Sequence, residues 1–294
     1  MKNPEEKELF LDEEEVVVLD ASPIPKKLLR NSVAINGRDF WGRGAEIKFS
    51  PYAASGWYWQ AKKSQRPIKI SAQIMRAQFR RIRLEFAGSV LETFEHVGSL
   101  RWLGLEGVLI ESTPWPPHFG SPLELWDWLK GALIPSGYIE WKELHDRSSS
   151  LGFSADGYTV INANRSFPDA EREARLQVNV FCDYPGLKPE QLVFELPRDD
   201  RALEKVFEAY VIGWPRWTYW ASKLATFLGW PHHGRVMWIQ EHGKATLNLA
   251  LKHRLADILG VLAFAHPDGL IAARVFSNKG GHKSDINAVN VYKF

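Results

Sequence analysis

The chain carries two runs of short strand-like segments, each followed by helical spacing and closed by a further strand. No other feature narrows its possible folds as much. From Asn31 the sequence offers SVAING, AEIKFSP, WYWQAKK and PIKISAQIM, separated by polar turns, and RIRLEF at 81–86 continues the alternation. Helical spacing follows over 89–105, where Leu91, Phe94, Val97, Leu100 and Leu103 recur, with a loop-to-helix start near Thr93, and GVLIES at 107–112 reads as a buried strand. LELWDWLKGAL at 123–133 is an amphipathic helix. The order then recurs. YTVINAN at 158–164 and ARLQVNVFCDYP at 174–185 read as strands, and DRALEKVFEAYVIG at 200–213 as a helix. RVMWIQ at 235–240 is a strand, TLNLALKHRLADILGVLAFA at 246–265 the longest helical pattern, and GLIAARVFS at 269–277 a closing strand. Strands grouped ahead of helices predict an α+β fold in two domains, with a boundary near 140–155. The expected division is an acidic tail over 1–22, a unit over 23–145 and a unit over 146–294.

Composition removes several function classes. The net charge of +2 gives no strong electrostatic draw to nucleic acid or membrane. The single cysteine, Cys182, excludes an internal disulfide and a thiolate metal cluster and suits a reducing compartment. No apolar run reaches the roughly 18 residues of a membrane helix. The acidic start (Glu5, Glu6, Glu8, Asp12–Glu15) has the wrong sign for a signal or transit peptide, so the expectation is a cytoplasmic protein. MRAQFRRIR at 75–83 groups Arg76, Arg80, Arg81 and Arg83, which could meet phosphate; with strand alternation, a solvated strand face is the better reading.

Three short stretches can carry chemistry. LKHRLADILG puts His253 and Asp257 four apart, on one face of a helix, where an imidazole nitrogen and a carboxylate oxygen can hold one divalent metal. The alternative is a polar stripe on the wet side of that helix. TFEH offers His96 as a third ligand beside Glu95 as a general base; a capping glutamate beside a surface histidine would look the same. NKGGHKSD places His282 after two glycines that let the backbone turn sharply, as a proton donor or oxyanion partner, or as an ordinary polar loop. A fourth stretch, WPRWTYWASKLATFLGW at 214–230, concentrates Trp214, Trp217, Tyr219, Trp220, Phe227 and Trp230. It could wall a site for an acyl chain or a sugar ring, or fill an interior. His232 and His233 have no ligand partners at a matching spacing and read as structural or surface residues.

TFEH, GVLIES, FGS at 119–121, KHRLADILG and VFSNKGGH come in an order that resembles the UDP-3-O-acyl-N-acetylglucosamine deacetylase family, the zinc amidases of lipid A synthesis. The resemblance runs over roughly residues 28–294. It implies two similar α+β domains, each a two-layer sandwich of sheet and helices, with the active site between them. It implies Zn2+ on His96, His253 and Asp257, Glu95 as general base, His282 as general acid and Arg254 pairing with an anionic substrate group. The substrate it implies is a small acetylated amino sugar, lipid-linked or nucleotide-linked, and not nucleic acid. The chain departs from the family pattern at several positions. Arg254 stands for a lysine, Val261 for an aspartate that supports the loop histidine, Trp41 for a histidine, and Val211 for a threonine that polarises the substrate carbonyl, with Thr218 as a possible substitute. Those departures leave two alternatives: a deacetylase for a different acetylated sugar, or a non-catalytic zinc-binding or regulatory protein.

Overall fold

The computed structural model describes residues 24–61, 65–78, 81–143, 149–155, 157–163, 176–183, 189–196, 200–209, 216–228 and 244–292. The acidic tail, Arg80, Val211, Trp214, His232, His233 and the strand expected at 235–240 lie outside them. The first half runs β1 (Ile24–Leu29), β2 (Val33–Arg38), β3 (Gly44–Pro51), β4 (Trp57–Gln60), β5 (Ile68–Lys69), β6 (Met75–Gln78), β7 (Arg81–Phe86) and β8 (Ser89–Leu91). It continues through α1 (Phe94–Gly98), β9 (Val108–Ser112), α2 (Pro122–Leu129) and β10 (Leu133–Ile139). The second half runs β11 (Trp141–Glu143), β12 (Ser150–Phe153), β13 (Tyr158–Ala163), β14 (Leu176–Cys182) and β15 (Glu190–Leu196), then α3 (Asp200–Phe207), α4 (Arg216–Phe227), α5 (Lys244–Leu262), β16 (Leu270–Asn278) and α6 (His282–Val289). The class is mixed, with segregated helices and sheets, as expected.

The two main sheets share one strand order. In the first it is β2-β3-β9-β4-β5, and in the second β12-β13-β16-β14-β15, with β11 added beside β16. The senses also match along each sheet. The first two neighbouring pairs are antiparallel, the third parallel and the fourth antiparallel. Alternation puts Ile47 and Phe49 of β3, Trp57 and Trp59 of β4, and Val108 and Ile110 of β9 on the buried face. In the second sheet Leu176, Val178, Val180 and Cys182 of β14 do the same, and α5 packs on that strand. A separate three-stranded sheet, β6-β7-β8, sits against α1 and α6, and β1 pairs with β10.

The helices of the two halves meet, α1 on α5 and α2 on α3. The α1–α5 contact is backbone on backbone. A Cβ on Gly260 would lie 2.1 Å from the Glu95 carbonyl oxygen, and one on Gly98 would lie 2.9 Å from that of Gly260. Beyond this crossing, the buried Trp102 indole donates to the Leu259 carbonyl at 2.7 Å. The buried Arg101 guanidinium grips Glu106 and donates to the Ala263 carbonyl.

Three local expectations change. The helical spacing over 89–105 resolves into β8, α1 and a 3-10 turn over Ser99–Leu103. The cause is Thr93, which takes a left-handed conformation (φ 53°, ψ 38°) and breaks the chain's path just before α1. The end of the helix expected at 123–133 is a 3-10 turn and the start of β10. Its N-terminus is capped: Ser121 Oγ accepts from the Glu124 amide at 3.3 Å, and Glu124 accepts from the Gly120 amide at 2.9 Å. The loop expected around His282 is the first turn of α6, stopped at its start by Ser284 Oγ accepting the Gly281 amide at 2.9 Å.

Gly260→Ala is therefore expected to force α1 and α5 apart and to cost about 3 kcal/mol, the upper range for overpacking a filled site. Gly131→Ala, where an added Cβ meets nothing within 4 Å, should stay within about 0.5 kcal/mol of wild type. Urea unfolding midpoints decide the matter, and equal midpoints for the two variants would refute the close-crossing account.

Candidate metal centre

The left-handed turn at Thr93 delivers Glu95 and His96 together. Successive helical residues diverge by about 100°, and both side chains are nonetheless buried. Glu95 reaches β7, where its Oε2 accepts the Ile82 amide at 2.8 Å. His96 reaches across the Gly260 crossing to α5. On that helix His253 and Asp257 stand one turn apart on one face, as their spacing predicts. The first turn of α6 brings His282 to the same place.

Asp257 is the hub. Its Oδ1 lies 3.7 Å from His96 Nε2; its Oδ2 lies 3.7 Å from His253 Nε2 and 3.9 Å from His282 Nε2. None of these gaps is a hydrogen bond. Donor atoms of His96, His253 and Asp257 all fall within 4.8 Å of one another. Ligands about 2.0–2.2 Å from a tetrahedral metal stand roughly 3.3–3.6 Å apart, so the set needs only small adjustments to close on one ion. Asp257 Oδ1 is buried without a hydrogen-bond partner among the described residues. A cation supplies what that lone pair lacks, and the three residues fit a divalent metal.

The electrostatics of His253 and Asp257 agree with that use. Burial raises the Glu95 carboxyl above its ordinary range, against the pull of His282 and His96. Burial presses His253 down to about 4, despite Asp257, so at neutral pH it is an unprotonated imidazole with a lone pair to give. Burial also works against the Asp257 anion, but His253, His282 and His96 around it hold its carboxyl well below the usual range. For His96 burial is outweighed by Asp257 and Glu95, and its pKa rises.

Arg254 is corrected by the structure. The expectation is a cation facing a substrate anion. Instead the side chain is buried and clamps Asp285 of α6 with both terminal nitrogens, each at 2.6 Å, and Nη2 also donates to Ser277 Oγ at 3.1 Å. Burial opposes the charge, yet the Asp285 carboxylate beside it keeps the guanidinium firmly protonated. Thr159 donates to the same carboxylate at 2.7 Å. Val261 is buried in the apolar core, and His282 Nδ1 has no hydrogen-bond partner among the described residues. What holds His282 in place is thus the Arg254–Asp285 bond three residues along α6. Asp285 and Thr159 carry no signal in the sequence, because their partner is 31 residues away for one and their shared network 126 residues long for the other.

Of the aromatic stretch, Trp217 and Trp220 lie in α4, and Trp220 has its ring 5.4 Å from that of Tyr219. Trp41, at a position where the resemblance implies histidine, is an exposed ring on the β2–β3 turn, edge-on to Phe40 at 5.1 Å and to Trp115 at 6.0 Å. Arg81, next to the residue that anchors Glu95, lies 4.5 Å over the Trp115 ring.

Two measurements follow. Purified protein supplied with zinc should hold about one divalent ion per chain, and His253→Ala should lose it, at a cost of about 10-fold or more in affinity; retention of stoichiometric metal by the variant would remove His253 from the centre. Arg254→Met should lose about 3–5 kcal/mol of unfolding free energy, because it strands the buried Asp285 carboxylate, and the double variant Arg254→Met/Asp285→Leu should recover most of it. Equal losses in both would show that packing, not charge, sets the cost.

No protein-family model and no curated protein matches the chain. The resemblance carried by TFEH, KHRLADILG and NKGGH stands on those residues alone.

Proposed function

We propose that the chain is a zinc-dependent amide hydrolase that removes the acetyl group from an N-acetylated amino sugar. The observation that carries this reading is the composition of the cluster: two histidines and an aspartate able to share one ion, flanked by a buried glutamate and a third histidine. Two imidazoles and a carboxylate suit zinc, whereas magnesium and calcium take all-oxygen sets. A bound zinc supplies Lewis acidity to an amide carbonyl and lowers the pKa of a water to roughly 7.

The protein's own groups do the rest. Glu95 Oε2 is tied to the Ile82 amide, so Oε1 is the atom that takes the proton of the attacking water. Burial makes that carboxylate more basic than an exposed one, as a general base working near neutrality requires. His282 Nε2, held at the mouth of the cluster by the Arg254–Asp285 bond, gives a proton to the leaving amine nitrogen. The acetyl group leaves as acetate, and the sugar keeps a free amine.

The shared strand order of the two sheets supports reading them as two similar domains, each a sheet layered with helices. On this reading Trp214, Trp217 and Val211 stay the candidates for a substrate wall, and Trp220, exposed on α4, does not join them. The commitment of Arg254 to Asp285 favours the variant in which the substrate differs from the nucleotide-linked sugar of the family, since it takes the cation at that position out of reach of a phosphate.

The test is acetate release by zinc-loaded protein from a panel of nucleotide-linked, lipid-linked and simple N-acetyl amino sugars. Glu95→Gln should keep its metal and lose about 10²–10⁴-fold in kcat. Turnover of none of the panel by the loaded wild type, or equal rates for the variant, would leave a non-catalytic zinc protein as the better account.

A further inference from the structure

Helix α4 is built inside out. At about 100° per residue, Trp220, Leu224, Phe227 and the following Leu228 fall in one stripe about 100° wide. These four are 57%, 59%, 86% and 63% exposed. The opposite side carries Tyr219 and Ser222, both buried, and Thr226, whose hydroxyl donates to the Ser222 carbonyl at 3.0 Å. A surface helix ordinarily turns its large apolar side chains inward and its hydroxyls to water. Four adjacent large apolar side chains in water form a patch of the kind that marks an interaction site.

The charges of the helix indicate what covers the stripe. Its 12 residues, RWTYWASKLATF, include Arg216 and Lys223 and no acidic residue. Lys223 stands at the edge of the stripe, its Nζ 5.0 Å from the centre of the Tyr219 ring. From there its aliphatic stem can follow an apolar surface while the ammonium reaches the headgroup level. A helix with an exposed stripe of Trp, Leu and Phe and with basic but no acidic residues in its sequence has the composition of one that lies in the plane of an anionic bilayer surface. An antiparallel pairing of two copies centred near Lys223 would bring the two ammonium groups together, an unfavourable meeting of like charges. At about 18 Å the helix is too short to cross a hydrocarbon core of roughly 30 Å, and no described helix is long and apolar enough to do so.

We propose that α4 is a membrane-docking helix. It seats Trp220, Leu224, Phe227 and Leu228 in the outer layer of an anionic lipid surface, with Lys223 at the phosphates. Such seating holds the chain where a lipid-linked amino sugar is found, but it goes beyond the hydrolase reading and stands without it.

The experiment is co-sedimentation of the full chain with vesicles of phosphatidylcholine containing about one third phosphatidylglycerol, beside vesicles of phosphatidylcholine alone. The chain should pellet with the anionic vesicles and do so less as salt rises. Leu224→Ser/Phe227→Ser should lower the partition coefficient by about tenfold or more on the anionic vesicles. Lys223→Glu should lower it by about fivefold or more on the same vesicles. Circular dichroism identical to wild type shows that these exposed positions leave the fold intact. No pelleting of the wild type, or pelleting of the double variant equal to wild type, overturns the proposal. So does a concentration-dependent dimer without lipid that the double variant abolishes, which assigns the face to a second copy instead. Neither readout depends on turnover or on bound metal, so failure here and failure of the hydrolase reading are separate results.

Discussion

The candidate centre depends on one close contact, the crossing of α1 and α5 at Gly98 and Gly260. Each helix brings two of the four groups that matter most: Glu95 and His96 from one, His253 and Asp257 from the other. Their side chains are short relative to the usual helix separation of about 8–10 Å. With a Cβ at Gly260 the Glu95 carbonyl would be struck at 2.1 Å, and the donors would no longer gather around one carboxylate. Glycine here is not a loop residue but the means by which two backbones approach far enough for their side chains to share an ion. The cost in helix propensity, about 1 kcal/mol per glycine, is offset by the packing that surrounds the crossing, including the Trp102 and Arg101 hydrogen bonds to the last turns of α5.

Electrostatically the cluster is one that could take a cation. A buried carboxylate is surrounded by three imidazoles at distances too long for hydrogen bonds. Such a cluster would ordinarily collapse into direct contacts or take up a proton to relieve the burial of charge. Its open geometry leaves room for one ion among His96, His253 and Asp257. Beside it lies a second polar group of a different kind, in which Arg254, Asp285, Thr159 and Ser277 hydrogen-bond to one another. The first group is arranged for a ligand, and the second for holding α6 and hence His282. Their proximity explains how a residue quoted as chemistry-bearing, Arg254, has a structural task.

How much of this was legible depends on distance along the chain. The His253–Asp257 pair was readable because residues four apart share one face of a helix, and both lie well inside α5. The strand β7 was readable from alternation, and β3, β9, β13 and β16 as short apolar segments between turn signals. A helix start near Thr93 was readable, but not its left-handed conformation, which nothing in SVLETFEH announces. Nor was α6, whose start is set by Ser284 bonding back to Gly281 rather than by any strong N-cap residue. The inverted exposure of α4 was equally hidden, since a run of aromatics has the same spelling whether it faces a core or solvent.

By itself, then, the sequence determined everything that depends on neighbours a few residues apart: the α+β class, most strands, the long helix, and the candidacy of His96, His253, Asp257, Glu95 and His282. It also showed the repeated order of elements that becomes two sheets of matching topology. Only the tertiary structure decided which candidates meet. The His96–Asp257 approach spans the two halves of the chain, Arg254 finds Asp285 rather than a substrate, and His282 arrives on a helix. Those outcomes turn on backbone separation and burial, which are set by the whole packed core, and no local pattern of residues encodes them.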